Sequence, residues 1–261
     1  MVGREVSTEH RDEIDGEPVF WRSEGGASVL YVHGVPDTAD EWEPFLVRTG
    51  GIAVDLPGFG RTTKRGDFDF SIEGYGRWLD RFAEHVGLDR FRLVVHDWGA
   101  LALPWAARRA ASVERLAIID AVPLLPGYRW HRLARLWRLR GLGELAMGLT
   151  TRPVARRLAP PQVLDLAWPH FDQGTQRAIL RLYRGAGPEV LAAAGARLGE
   201  LTAPALVVWG ERDPYVPARF ADAYGEALGG EARVLRAPGA GHWPWYDRPD
   251  LAATVAGFVS R

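Results

Sequence analysis

Five short, almost unbroken apolar runs recur along this chain, at Val29 to Val32, Ile52 to Val54, Leu93 to Val95, Leu116 to Ile119 and Leu206 to Trp209. A strand with one wet face alternates apolar and polar residues. Runs this short and continuous instead suit a parallel sheet covered on both sides. Amphipathic stretches from Ser71 to Val86 and from Trp98 to Ala110 read as helices between them, with Ser71 as the cap of the first. The rhythm resumes late in the chain with a helix from Ala218 to Leu228, a strand from Ala232 to Leu235 and a closing helix from Asp250. A hairpin from roughly Val6 to Trp21 is expected to add antiparallel strands at one edge. Strands alternating with helices predict an α/β fold with a mostly parallel central sheet flanked by helices.

The rhythm breaks between Val122 and Leu198. This stretch has no clear strand, is rich in Arg, Leu, Trp and Pro, and is punctuated by Pro153, Pro160-Pro161, Pro169 and Pro188. It reads as an inserted helical cap (122–198) on a core formed by 1–121 and 199–261. A chain of 261 residues has room for one such core and its insertion. The formal net charge of −1 argues against nucleic acid or an anionic membrane as partner. There is no cysteine, which excludes disulfides and thiol catalysis. Met1 to Asp15 carries no apolar signal core, and no run of about 18 apolar residues is present. A cytoplasmic protein without cofactor, monomeric or homodimeric, is the expectation.

The segment Leu93-Val94-Val95-His96-Asp97-Trp98-Gly99-Ala100 runs from a strand directly into a helix. A tight turn there lifts one side chain above the sheet, and small residues such as Gly99 and Ala100 let strand and helix pack closely. The residue at the tip is Asp97. A carboxylate at a helix N-terminus stays ionised and nucleophilic, although an isolated Asp in that place is more often a plain cap. Two other candidates follow strands. Asp213 stands in Gly210-Glu211-Arg212-Asp213, and His242 in Gly239-Ala240-Gly241-His242. Loops at the C-terminal ends of parallel strands converge on one crevice, so the three side chains are expected to meet there. Asp120, after Leu116 to Ile119, is the alternative acid; Asp213 is favoured because its Gly-x-x-Asp turn projects it toward the crevice. After the first strand, His33-Gly34-Val35-Pro36 is expected to turn the Val35 N–H inward, where with the Trp98 N–H it would hold a developing oxyanion. No metal site is expected, since the seven histidines are scattered and none forms a His-x-x-x-His pair.

His33-Gly34-x-Pro36, Asp55-x-x-Gly58-x-Gly60, His96-Asp97-Trp98-Gly99, Asp213 and Gly241-His242 together resemble the epoxide hydrolase and haloalkane dehalogenase branch of the α/β-hydrolases. The resemblance implies an α/β-hydrolase fold with an inserted helical cap. It also implies two-step chemistry: Asp97 attacks a saturated carbon to give an alkyl-enzyme ester, and His242, held by Asp213, activates the water that hydrolyses it. The partners would be a small hydrophobic substrate and water.

The two chemistries of that branch differ in what the leaving group needs. Tyr183, thirty residues before Asp213, resembles the proton-donating cap tyrosine of epoxide hydrolases; the competing reading is a ring packed in the cap. Tyr128 is a second candidate donor. On the other side, Val35 stands where one large group of dehalogenases has an Asn for halide. A second indole beside Trp98 would have to come from Trp130, Trp137 or Trp168. Trp98, Tyr128 and Trp168 are the expected substrate contacts. Epoxide opening is the main reading, with halide release as the alternative. A carboxylate substrate is disfavoured because Trp98, Ala100 and Leu101 stand where defluorinating relatives carry arginines. Asp97 opposes a serine esterase, and the complete set of three opposes a silent binding module.

Overall fold

The computed structural model describes residues 7–26 and 28–261. Among the described residues eight strands form one sheet: β1 (Thr8–Ile14), β2 (Glu17–Glu24), β3 (Val29–Val32), β4 (Gly51–Val54), β5 (Phe91–His96), β6 (Val113–Ile119), β7 (Ala205–Gly210) and β8 (Ala232–Ala237). Their order is β1-β2-β4-β3-β5-β6-β7-β8. Every pair from β4 to β8 is parallel, and β1 and β2 are antiparallel. The expected hairpin is therefore present, with β2 running on to Glu24; Val6, its expected start, lies outside the described residues. Its turn is Asp15-Gly16, at φ 54° and 75°, the left-handed pair that matches a two-residue loop to the twist of its strands. β1 is charged and largely exposed, which blunts the sheet edge against pairing with another chain.

Successive side chains of a strand face opposite ways, and each face here has its own core. Leu30 and Val32 of β3 join Leu93 and Val95 of β5 on one side, under α2 (Ile72–His85), α3 (Ala102–Arg108) and α10 (Arg219–Ala227). Val29, Tyr31, Val94 and Ala117 join the other, under α1 (Glu43–Thr49) and α12 (Asp250–Val259). Ser71 caps α2, its hydroxyl accepting the Gly74 N–H at 3.0 Å. The helix expected from Trp98 begins differently. Asp97–Leu101 is a 3-10 turn, and α3 proper starts at Ala102. Pro104 has no N–H to continue an α-helical ladder back to Ala100, and three-residue closure takes its place.

Between β6 and β7 lie six further short helices: α4 (Arg132–Trp137), α5 (Leu142–Gly148), α6 (Arg152–Ala155), α7 (Pro161–Ala167), α8 (Gln173–Gly185) and α9 (Pro188–Ala194). A short helix, α11 (Pro244–Asp247), precedes α12. Among the described residues no helix is long and apolar enough to cross a membrane.

Candidate active site

From β3 the chain passes to β4 on one side, while β5 lies against the other side of β3. The loops after β3 and β5 thus diverge and leave a crevice at the carboxyl ends of the strands, where open α/β sheets bind their ligands. Asp97 stands at that point with φ 48°, a left-handed conformation that costs a non-glycine residue free energy and marks a site held by its surroundings. Two glycines let the turn close. A Cβ on Gly99 would meet the Val32 carbonyl oxygen at 2.1 Å, and one on Gly34 would meet Asp97 Cβ at 2.5 Å. The Val35 N–H consequently reaches Asp97 Oδ1 at 2.9 Å. The Trp98 N–H, in the first turn after Asp97, belongs to the donors that a helix start leaves without an internal partner.

His242 closes over the same carboxylate, with Nε2 3.3 Å from Asp97 Oδ2 and Nδ1 2.7 Å from Asp213 Oδ2. The turn after β7 fixes Asp213, whose other oxygen accepts the N–H groups of Tyr215 at 2.7 Å and Val216 at 2.9 Å. Asp120 stands alongside but makes no hydrogen bond to the imidazole. One oxygen accepts the Gly210 N–H at 2.9 Å and the other faces Asp213 without a donor. Burial, reinforced by the charge of Asp213, pushes the Asp120 carboxyl well above the usual range, so it is a neutral acid. Asp97 and His242 form the opposite kind of pair. Burial resists charge on both, yet the contact with His242 holds Asp97 below the usual carboxylate range. Asp213 and then Asp97 hold His242 well above the usual imidazole range.

A cavity of about 90 Å³ opens above Asp97 and His242, walled mainly by apolar groups such as Val35, Leu133, Leu164 and Ile179. Trp168 and Tyr183 also line it; Tyr128 and Trp98, the other expected substrate contacts, do not. Tyr128 is buried behind the wall, its ring against Trp130 and Phe220, with a hydroxyl that finds no partner among the described residues. Burial and the Asp97 charge push the Tyr183 phenol well above its usual value, so it is a neutral donor. Of the expected indoles, Trp130 spends its N–H on the Ala186 carbonyl at 2.8 Å. Trp137, on the cavity, and Trp98, beneath Tyr183, have buried indole N–H groups with no acceptor among the described residues. The Trp98 N–H is near enough to the Tyr183 hydroxyl to ease its shift without reaching hydrogen-bond geometry.

Two features escaped the sequence. His131 lines the cavity, pulled down to about 4 by burial and thus neutral. Nothing in its surroundings, Trp130-His131-Arg132, marks it as a cavity residue. The second is a buried meeting of Asp37, Glu41 and His96. A search for closely spaced ligand pairs passes over it, because the histidine comes from a strand end far along the chain from the two acids.

Among known proteins, the sequence profile described as the alpha/beta hydrolase family matches residues 29–255. A haloalkane dehalogenase of Bradyrhizobium diazoefficiens is 27% identical over 96% of this chain and 93% of that protein. One of Agrobacterium fabrum is 30% identical over 64% of this chain and 59% of its own length. The crystal structure of a haloalkane dehalogenase from Bradyrhizobium elkani superposes with a TM-score of 0.83 at 25% identity, covering 97% of this chain and 98% of that one. With an eight-stranded sheet of this order and a match over most of its length, the chain belongs to the alpha/beta hydrolase family and is similar to its haloalkane dehalogenases.

Proposed function

We propose that the protein is a hydrolase with an aspartate nucleophile that displaces halide from small apolar haloalkanes. The observation that carries this reading is the unspent indole N–H of Trp137 on an apolar cavity with a carboxylate at its base, with a second unspent indole N–H, that of Trp98, packed against the cavity residue Tyr183. A leaving halide needs donors and no proton, and what sets Trp137 apart from the indoles of Trp42 and Trp245, equally unpartnered among the described residues, is its place on the cavity wall. Kinship with haloalkane dehalogenases over nearly the whole chain supports halide over the epoxide expected from Tyr183.

In the first step Asp97 Oδ2 attacks the halogen-bearing carbon, a C–O bond forms, and the halide leaves with the bonding pair toward the indoles. Asp97 Oδ1 becomes the ester carbonyl oxygen, already held by the Val35 N–H. In the second step His242 Nε2 takes a proton from water, which adds to the ester carbon while Val35 and Trp98 N–H groups hold the oxyanion. Collapse of that intermediate releases the alcohol and restores Asp97. Forming the ester also removes the negative charge that helps keep His242 protonated. The first step thereby makes the base for the second.

His242→Gln is expected to stop after alkylation, so a short bromoalkane should raise the mass of the intact protein by one alkyl group. An unmodified mass, with Asp97→Ala still releasing bromide, would remove Asp97 from its role. Epoxide opening is the second reading, favoured by the neutral phenol of Tyr183 on the cavity wall. Parallel assays of bromide and diol release separate the two, and Tyr183→Phe should cripple only the diol reaction.

A further inference from the structure

Asp37, Glu41 and His96 are buried, stand outside the cavity lining and take no part in either step. His96 Nε2 lies 2.9 Å from the backbone carbonyl of His242. A carbonyl only accepts, so Nε2 carries a hydrogen, and in a neutral imidazole Nδ1 is then a bare lone pair. Facing Nδ1 are Glu41 Oε2 at 3.4 Å and Asp37 Oδ2 at 3.9 Å. Three acceptors at that spacing repel one another unless a proton lies among them. Asp37 Oδ2 already accepts the Trp243 indole N–H at 3.0 Å. Neither Glu41 oxygen has a hydrogen-bond donor among the described residues, and nor does His96 Nδ1. One proton on Glu41 supplies the missing donor. A proton on His96 instead would bury an ion pair among Trp42, Trp243 and Trp245 and set a cation against His242, whose ring centroid is 4.8 Å away.

We propose that Glu41 is a neutral carboxylic acid that donates its proton to His96 Nδ1, fixing the tautomer with which His96 grips the His242 carbonyl and making Glu41 a positioning residue for that base. Burial pushes the Glu41 carboxyl well above the usual range, and the same cause pulls His96 down to about 4. Burial decides the balance at Glu41. Asp97 adds repulsion from the end of β5 and Tyr246 of α11 is neutral, while the neighbouring Asp37 side chain, the Gly34 backbone and the His242 charge oppose them and are outweighed. Ionised, Glu41 would strip His96 of its donor and place a second negative charge near Asp97 and His242.

Glu41→Gln keeps a donor toward His96 and Glu41→Leu removes it, both at similar size. The infrared difference spectrum of the native protein minus Glu41→Gln at neutral pH should show a protonated-carboxyl C=O band. Its absence, or one equivalent of divalent metal retained by the purified native protein and lost in Glu41→Leu, would overturn the proposal, since a metal or an ionised acid would then fill the proton's place. The kinetic consequence rests on the two-step reading, whereas the band does not. Hydrolysis of the alkyl-enzyme should slow about tenfold in Glu41→Leu and hold within about threefold in Glu41→Gln. Equal loss in both, with both folded, would also overturn it.

Discussion

Asp120 and Asp213 are the same residue type at the ends of neighbouring strands, yet their hydrogen-bond donors differ. Asp213 receives two backbone N–H groups and the imidazole, while Asp120 receives one N–H and faces a carboxylate. Asp120→Asn exchanges one neutral group for another of nearly the same shape, so turnover should change by less than about threefold. Asp213→Asn removes the carboxylate that orients the imidazole, and turnover should fall on the order of ten-thousandfold, as in serine-protease triads. Comparable losses in steady-state assays of the two variants would mean that the acids share the role. Sequence alone leaves the choice open because both residues follow a buried strand. What separates them is the turn after β7, which carries Asp213 to His242 Nδ1 and leaves Asp120 beneath it. Asp97 and His242 are readable only together: alone, the Asp before a helix is more often a cap, and the reading comes from three side chains that each follow a strand in one sheet.

At the scale of elements, the site depends on how closely the loop after β3 approaches the start of the 3-10 turn. Gly34→Ala places a methyl where Asp97 Cβ already stands, at 2.5 Å, and the Val35 N–H would be pushed off Asp97 Oδ1. Turnover should fall about a hundredfold or more, the measured cost of one misplaced oxyanion donor, with the circular dichroism spectrum unchanged. Ser71→Ala is the converse case. It removes the cap of α2 far from the crevice, so the melting temperature should drop by about 2–4 °C for a loss of about 1 kcal/mol, with kinetic constants retained. A drop in activity without a shift in melting would show that α2 does more than support the sheet. The sheet was legible because each strand's apolar run states its burial on both faces. The helices between β6 and β7 were legible only as helices. Whether Trp130, Trp137 or Trp168 keeps a free indole N–H depends on contacts between α4, α8 and the turn after α7, and local pattern does not encode those contacts.

For the molecule as a whole, the Asp97–His242 pair links folding, charge and turnover to one pH window. His242 is raised in the folded state, so its contribution to stability is complete below its unfolded pKa and is lost as pH rises through the folded value. Asp97 is lowered, so its contribution is present above its unfolded pKa and is lost as pH falls through the folded value. The pair therefore stabilises the fold most at mildly acidic pH, between the two unfolded values. In the proposed mechanism turnover has the opposite need at its second step, when His242 must be neutral to accept a proton from water. There, alkylation reconciles the two. Burial works to neutralise His242 throughout, and the ester deletes the Asp97 charge that opposed it, leaving Asp213 alone to hold the proton. Hydrolysis of the alkyl-enzyme, followed by stopped flow after rapid alkylation, should therefore titrate with a lower pKa than His242 shows by NMR in the resting protein. A gap of at least one unit is expected, since a unit corresponds to about 1.4 kcal/mol and one buried ionic contact exceeds that. Identical values in the two measurements would mean that the Asp97 charge does not set the protonation of His242, and that the base is poised by Asp213 from the start.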